Sequence, residues 1–448
     1  MIEETYQSKP NAKVGSDQPL SITSLLIRSI LFGLTFWGTA LGSKYLTVSL
    51  SIYVPFWFPS SVYLAVLLLN PVRTWPFFLV TAFIANAAFD LPQGTPISAL
   101  IGFYLSNSIQ VLLAAWLIHR YGELRNALRN LREFFKLVAI IAGVAPVIGA
   151  LLGAGTLVAS RLSPSFVDAW ATWFANAALA DLLVVPLVLA WFDKSKKISE
   201  LDLPYQCVQF SILAIGMVIT ACYVLVMVDG IMSPYKFYLL SFPLLAALRL
   251  DLRCVTLMNL SLGILAAFFT AHFQTGLTPR DIASETYIDV LQGFLAVASL
   301  VALLPAIVIA ERDCRAAELL NSQQRTRLAT ETTGVGIWEW NLENGDVKWD
   351  AAMFQIYGIE PTPDGFVRYE TWRECVDPDE LADQETILQD TISRKGQSQR
   401  QFHIRRRNDQ QPRLIQTKEA VRLDAGGKAA YLVGTNIDVT DWHEINSR

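Results

Sequence analysis

The chain has 448 residues, with Lys+Arg 36 against Asp+Glu 40 and a formal net charge of −4. The length allows two or three domains, and the balanced charge supplies no basic field for a nucleic-acid partner. The hydrophobic fraction of 52% hides a division: residues 1–310 are far more apolar than residues 311–448.

The stretch Leu291–Thr330 marks that division. Leu291–Ala310 is a run of about twenty uncharged residues, the length a helix needs to cross a bilayer. The run stops at Glu311-Arg312-Asp313 and continues as a polar, helix-favouring connector. The bland alternative is a membrane segment followed by a passive tether. The expected division is a disordered tail at 1–22, a membrane region at 23–310, a connector at 311–330, a soluble domain at 331–440 and an outgoing linker at 441–448. The tail is polar, and the first apolar run has no cleavage-site pattern, so no signal peptide is expected. The cysteines, Cys207, Cys222, Cys254, Cys314 and Cys375, have no metal-ligand or paired spacing and read as reduced thiols.

From residue 25 onward the chain holds about ten apolar runs bounded by polar residues. They lie near 25–41, 48–69, 75–89, 97–118, 134–159, 169–192, 208–228, 237–248, 254–271 and 288–310. The eighth is short, so a bundle of eight spans with one re-entrant pair stays open. Basic residues fall in alternate loops: Arg73; Arg120 to Lys136; Lys194 to Lys197; Arg249 and Arg253; Arg312 and Arg315. The other loops carry only Lys44, Arg161, Lys236 and Arg280. This bias predicts both termini in the cytoplasm. Pro55, Pro59, Pro146, Pro186, Pro243 and Pro305 punctuate the runs and predict kinks. Small residues cluster in 141–159, which favours close helix packing. No internal repeat supports an inverted-repeat transporter.

Polar residues inside the runs are the candidate signal site. They are Asn86 and Asp90 near the outer end of the third run, Asn107 and Gln110 on one face of the fourth, and Asn176 and Asp181 in the sixth. Gln292 opens the last. Asp181 is the carboxylate placed well inside the hydrocarbon, so it must be paired, hydrogen-bonded, protonated or hydrated. The bland reading of this set is hydrogen bonding that fixes the bundle; the sharper one is a ligand or ion pocket. His119 and His272 lie at span ends, where interfacial residence is the default.

Several of these residues carry a resemblance. Trp57-Phe58-Pro59, Arg73, Trp75-Pro76 and Asn86 resemble the opening of the membrane-associated sensor (MASE) domains, first class. Asn107, Gln110 and the following Leu-Leu-Ala-Ala-Trp resemble that family's fourth helix. Trp173 with Pro186, and Leu291-Gln292 through Glu311-Arg312, resemble its later helices and its exit. The resemblance implies a bacterial inner-membrane input module for histidine kinases or diguanylate cyclases. Trp57 and Pro59 therefore join the candidate site. Ser61 stands where the family usually has glycine, Gln110 where an acid is common, and the usual acid is displaced by about one helical turn.

In the soluble part, Gly336–Asn341 alternates as a strand, and Asn344-Gly345 predicts a hairpin into Val347–Trp349. A short helix is predicted over 350–357, and another from Pro378 to Ser393, capped by Asp377. Three strands follow at 399–406, 413–423 and 429–438. The expectation is an α+β domain with a five-stranded antiparallel sheet and helices over one face. Trp338-Glu339-Trp340, Trp349, Tyr357-Gly358, Trp372, Val376 to Asp379, Arg405-Arg406, Gly434 and Asp438-Val439-Thr440 resemble a PAS domain. In that family the closing acid and hydroxyl, here Asp438 and Thr440, couple the last strand to an outgoing helix. An ordinary helix cap would make almost the same contact. No flavin-adduct motif is present, His403 reads as a surface residue, and no cofactor is expected.

No phosphate loop, phospho-acceptor box, cyclase signature or metal cluster appears. The fold class expected is a multi-span membrane bundle, about ten helices, followed by a PAS domain. The function expected is a sensory input region relaying a cue to an output outside this chain, a diguanylate cyclase or histidine kinase. Its expected partners are the lipid bilayer, a second copy through the connector and PAS domain, and a small-molecule or membrane-protein signal. A membrane transporter with a regulatory PAS tail is the alternative, and a recruiting scaffold a third reading.

Overall fold

A computed structural model describes residues 21–47, 54–124, 126–192, 203–227, 234–273, 284–424 and 426–441. Most of the N-terminal tail, the lysine loop 193–202 and the outgoing residues 442–448 lie outside the described residues. The chain forms two compact units, residues 1–314 and 315–448.

The first unit is helical. Its elements are α1 (Ile22–Tyr45), α2 (Phe58–Leu69), α3 (Trp75–Asp90), α4 (Ile97–Tyr121), α5 (Leu131–Ala139) and α6 (Ala145–Ala159). They continue as α7 (Phe166–Phe192), α8 (Leu203–Cys222), α9 (Ser241–Arg249), α10 (Leu252–Phe273) and α11 (Ser284–Thr333). Among the described residues, eight helices are long and apolar enough to cross a membrane. The two expected runs that fall short are those ending in α2 and α9. Pro55 and Pro59 confine helix α2 to Phe58–Leu69, with Pro59 in its first turn. Twelve residues rise about 18 Å, well under the bilayer core. In α9, nine residues follow a 3-10 stretch, Pro234–Leu240.

Helix α1 shows why the unit belongs in lipid. Phe32, Phe36 and Ala40 recur every four residues and are buried, while Leu26, Ile30 and Leu34 are exposed. Such apolar outer faces are tolerated in hydrocarbon and not in water. Helix α7 is different: Asn176 to Pro186 is buried on every side. Leu182, Val185 and Leu189 pack into one core with α1 to α5, and Leu179, Leu183 and Val184 into another with α8 to α11. Pro146 lacks an N–H and clashes with the turn before it, and Ile140–Val144 loosens to a π-helix there.

The second unit after α11 is a sheet with short helices. Its strands are β1 (Gly336–Asn341), β2 (Val347–Trp349), β3 (Phe366–Val367), β4 (Gln397–Arg405), β5 (Pro412–Leu423) and β6 (Ala429–Asp438). The helices are α12 (Ala351–Tyr357), α13 (Tyr369–Arg373) and α14 (Pro378–Ser393). The sheet is antiparallel in the order β3-β2-β1-β6-β5-β4. It has six strands where five were expected. The extra one is two residues long, set by Gly365 at φ 73, where the chain turns back so that Trp349 N donates to Gly365 O at 2.8 Å. A two-residue strand has no alternation to read. Trp338 packs flat against Gly434 across β1 and β6, where an added Cβ would lie 2.4 Å from the ring. Trp338, Trp349, Tyr357, Phe402, Ile415 and Leu432 build the core.

Candidate functional site

The buried polar groups of the helical unit fall into separate clusters. The central one is Asp181, with no exposure, halfway along α7. Gln110 of α4 donates from Nε2 to Asp181 Oδ2 at 3.3 Å. The hydroxyl of Ser61, on α2, lies beside the same carboxylate. Asp181 Oδ1, Gln110 Oε1 and Ser61 Oγ are all buried without a formed hydrogen bond. Gln110 reaches α7 because α6 leaves room: a Cβ on Gly149 would lie 2.4 Å from Gln110 Oε1. Ser106 fixes that approach by donating to Gly149 O at 2.7 Å.

A second cluster holds α11. Gln292 Nε2 donates to Asn176 Oδ1 at 2.5 Å and to Pro55 O at 2.9 Å. Seven residues on, Ser299 accepts from Asn259 Nδ2 of α10 at 3.1 Å. Further on, the Glu311 carboxylate accepts from Leu131 N at 3.1 Å, at the N-terminus of α5. That N–H has no partner within its own helix, and the helix dipole favours an anion there.

The other candidates sit apart from these. Asn86 donates to Asp90 within α3 at 2.8 Å. Trp57 packs edge-on against Phe89, with ring centres 5.6 Å apart. Pro59 shapes the start of α2, and Asn107 is buried on α4 close before Gln110. His119 packs near Trp75, and His272 against Tyr45 and Phe268.

In the sheet unit the buried polar centre is an ion pair. Arg400 donates from Nε and Nη2 to Glu419 at 2.8 and 3.0 Å and from Nη1 to Gln384 at 2.8 Å. Ser398 donates to Glu419 at 2.7 Å. The guanidinium also lies over the Phe402 and Trp372 rings, at 5.0 and 5.6 Å. It borders a void of about 30 Å³ among Trp338, Trp340, Trp349 and Asn436, room for one or two waters. Asn436 bridges Trp338 Nε1 and the Tyr357 hydroxyl, both at 2.9 Å. Burial pushes the Tyr357 hydroxyl well above its ordinary range and the Cys375 thiol up to about 11. His403 is exposed and bonded to Glu380 at 2.7 Å. At the end of β6, Thr440 donates from Oγ1 to Asp438 at 2.6 Å and accepts from Leu414 N at 2.8 Å. Arg413 reaches the same aspartate at 3.7 Å.

Comparison with known proteins decides the family. A family model described as MASE1 matches residues 28–313. The chain belongs to the MASE1 family. A model described as PAS fold matches residues 346–436, after the MASE1 region. A curated relative, the probable diguanylate cyclase DgcE of Escherichia coli strain K12, is 30% identical over 138 residues. That match covers 30% of this chain and 12% of the relative's length. A sensory box histidine kinase/response regulator from Burkholderia thailandensis E264 is 25% identical, covering 28% of this chain and 90% of that structure, with a TM-score of 0.24. The N-terminal domain of a diguanylate cyclase with PAS/PAC sensor from Marinobacter aquaeolei is 15% identical, covering 24% and 98%, with a TM-score of 0.23. A MASE1 bundle followed by a PAS fold is a membrane sensory input region of a signalling protein.

Among the described residues of the MASE1 bundle, the candidate residues fall into separate pairs. Gln110 meets Asp181, Asn176 meets Gln292, and Asn86 meets Asp90. Sequence reasoning missed Asn259, Ser299 and the capping role of Glu311. The spacing of seven between Gln292 and Ser299, two turns on one helical face, was the available signal. It also missed the Arg400–Glu419 pair, because alternation alone places a strand arginine inward without naming its partner.

Proposed function

We propose that this chain receives a cue in the MASE1 bundle and relays it through α11 and the PAS fold to a diguanylate cyclase output. The observation that carries the reading is α11 itself. One helix holds Gln292, Ser299 and Glu311 to three parts of the bundle and runs on to Thr333, close before β1. A cue need only bind one packing of the bundle better than another to shift that helix. The choice of cyclase output rests on the similarity to the probable diguanylate cyclase DgcE. In this reading both termini are cytoplasmic in a bacterial inner membrane, and the protein works as a homodimer through residues 311–440. Asp438 and Thr440 hand the displacement onward, since they tie the end of β6 to β5 through Leu414.

The test is a fusion of the full chain to a diguanylate cyclase domain, assayed in membranes. Asp438→Ala and Thr440→Val are expected to abolish most of the cue-dependent change in cyclic dinucleotide output while membrane insertion stays intact. Signalling unchanged in both variants would remove the relay. A reporter placed after Arg312 that reads periplasmic would remove the topology.

A further inference from the structure

Among the described residues, the Asp181 cluster lacks positive charge. Asp181 lies at the centre of the most buried helix of the bundle, and the side chains that interact with it are Ser61 and Gln110. Neither is a cation. A single amide N–H at 3.3 Å is a long hydrogen bond and does not offset the cost of an ionised carboxylate in hydrocarbon. That cost is several kcal/mol even after relaxation.

Among the described residues, the elements packed against this point bring no charge to it. Helix α2 carries Tyr63, and α6 and Ile140–Val144 carry no titratable group. On α4, Tyr104 donates to Leu79 O, while His119, Arg120 and Tyr121 lie at its far end. On α10, Arg253 donates to Ala190 O, nine residues and about 13 Å further along α7. Cys254 neighbours Arg253, and His272 packs on Tyr45 at the opposite end of α10. Asp168 opens α7, thirteen residues before Asp181, and Asp289 and Glu311 flank the apolar part of α11.

The donors that face the carboxylate among the described residues are the Ser61 hydroxyl and the Gln110 amide. Three buried oxygens from three helices, Asp181 Oδ1, Gln110 Oε1 and Ser61 Oγ, have no formed hydrogen bond. A water molecule would supply donors but no charge. Hard oxygen donors of this kind suit a proton or an alkali-metal ion.

We propose that Asp181, Gln110 and Ser61 form an intramembrane site for one small monovalent cation: a proton that converts the carboxylate to the acid, or an alkali-metal ion such as Na⁺. The proposal deepens the sensory reading above and rests on it for any role in signalling. Binding is measured without an output domain, so failure of one is distinguishable from failure of the other.

The experiment is infrared spectroscopy of the full chain in lipid nanodiscs. A carboxylic-acid C=O band is expected in Na⁺-free buffer at neutral pH and is expected to be absent from Asp181→Asn. It should fall by at least half in one of two arms. Loss on raising the pH in Na⁺-free buffer identifies the proton. Loss on adding Na⁺ at constant pH, with a rise in the unfolding temperature, identifies the alkali ion. Ser61→Ala and Gln110→Leu keep the acid and are expected to shift the midpoint of the responding arm at least threefold in ion concentration. They keep the proposal falsifiable if Asp181→Asn fails to fold. A band that neither pH nor Na⁺ changes would overturn the proposal, leaving a permanently neutral structural acid. So would a spectrum with no Asp181-dependent band and no Na⁺ response.

Discussion

The two units each bury a charged residue, and they treat it in opposite ways. In the PAS fold, Arg400 and Glu419 are both almost fully buried, and each finds partners around it. In the MASE1 bundle, Asp181 is equally buried, with one formed hydrogen bond, a long one from Gln110, and the Ser61 hydroxyl beside it. A buried pair with complete hydrogen bonding fixes a structure, and removing one member strands the other. A half-satisfied group contributes little to holding its surroundings together. The comparison separates a residue that builds the fold from one placed for another purpose.

The sharpest way to break that contrast is Arg400→Ala. It strands Glu419 in the sheet and is expected to cost about 3–5 kcal/mol. Limited proteolysis of the full chain in membranes should then cleave within residues 346–436 on the order of a hundred- to several-thousand-fold faster. The double variant Arg400→Met with Glu419→Leu removes both charges and should restore most of the resistance. Asn436→Ala is next. It leaves Trp338 Nε1 and the Tyr357 hydroxyl without their shared partner, at about 1–3 kcal/mol, read by the same cleavage assay.

How much of this was legible beforehand follows the same divide. Within the PAS fold, the alternation in Gly336–Asn341, the Asn-Gly turn and the Asp377-Pro378 cap each acted locally, and the elements fell where those signals put them. The two-residue β3 escaped because its pairing is decided by Gly365 and not by any pattern in Phe366-Val367. In the bundle, hydropathy gave the runs, but prolines and 3-10 turns decided that α2 and α9 are short. The polar residues were legible as a set because each is costly in hydrocarbon. Their partners were not, since Gln110 with Asp181 is a contact across 71 positions of chain and Gln292 with Pro55 across 237.

A smaller effect is expected at Gln292. Replacing it by Leu leaves Pro55 O and Asn176 Oδ1 without their donor. Hydrogen bonds between membrane helices are worth about 0.6 kcal/mol on average, so a loss near 1 kcal/mol is expected for the two. Thermal unfolding in nanodiscs reads it. An effect as large as that of Arg400→Ala would place a structural linchpin in the bundle and dissolve the contrast.

The smallest effect is expected at the residue that looks most costly to touch. Asp181→Leu removes a buried carboxylate that has a single long bond and substitutes an apolar side chain of similar volume. The change deletes one long hydrogen bond and leaves Gln110 Nε2 and the Ser61 hydroxyl without their shared acceptor, which costs stability. It also deletes the requirement to neutralise or solvate a carboxyl group in hydrocarbon, which gains stability. The second term equals or exceeds the first, so the unfolding temperature in nanodiscs should stay within error of the parent or rise. Measured in Na⁺-free buffer, the comparison is with the carboxyl group alone. A fall matching that of Arg400→Ala would show that Asp181 is held by contacts as complete as those around Glu419, and the two buried charges would then have one structural purpose.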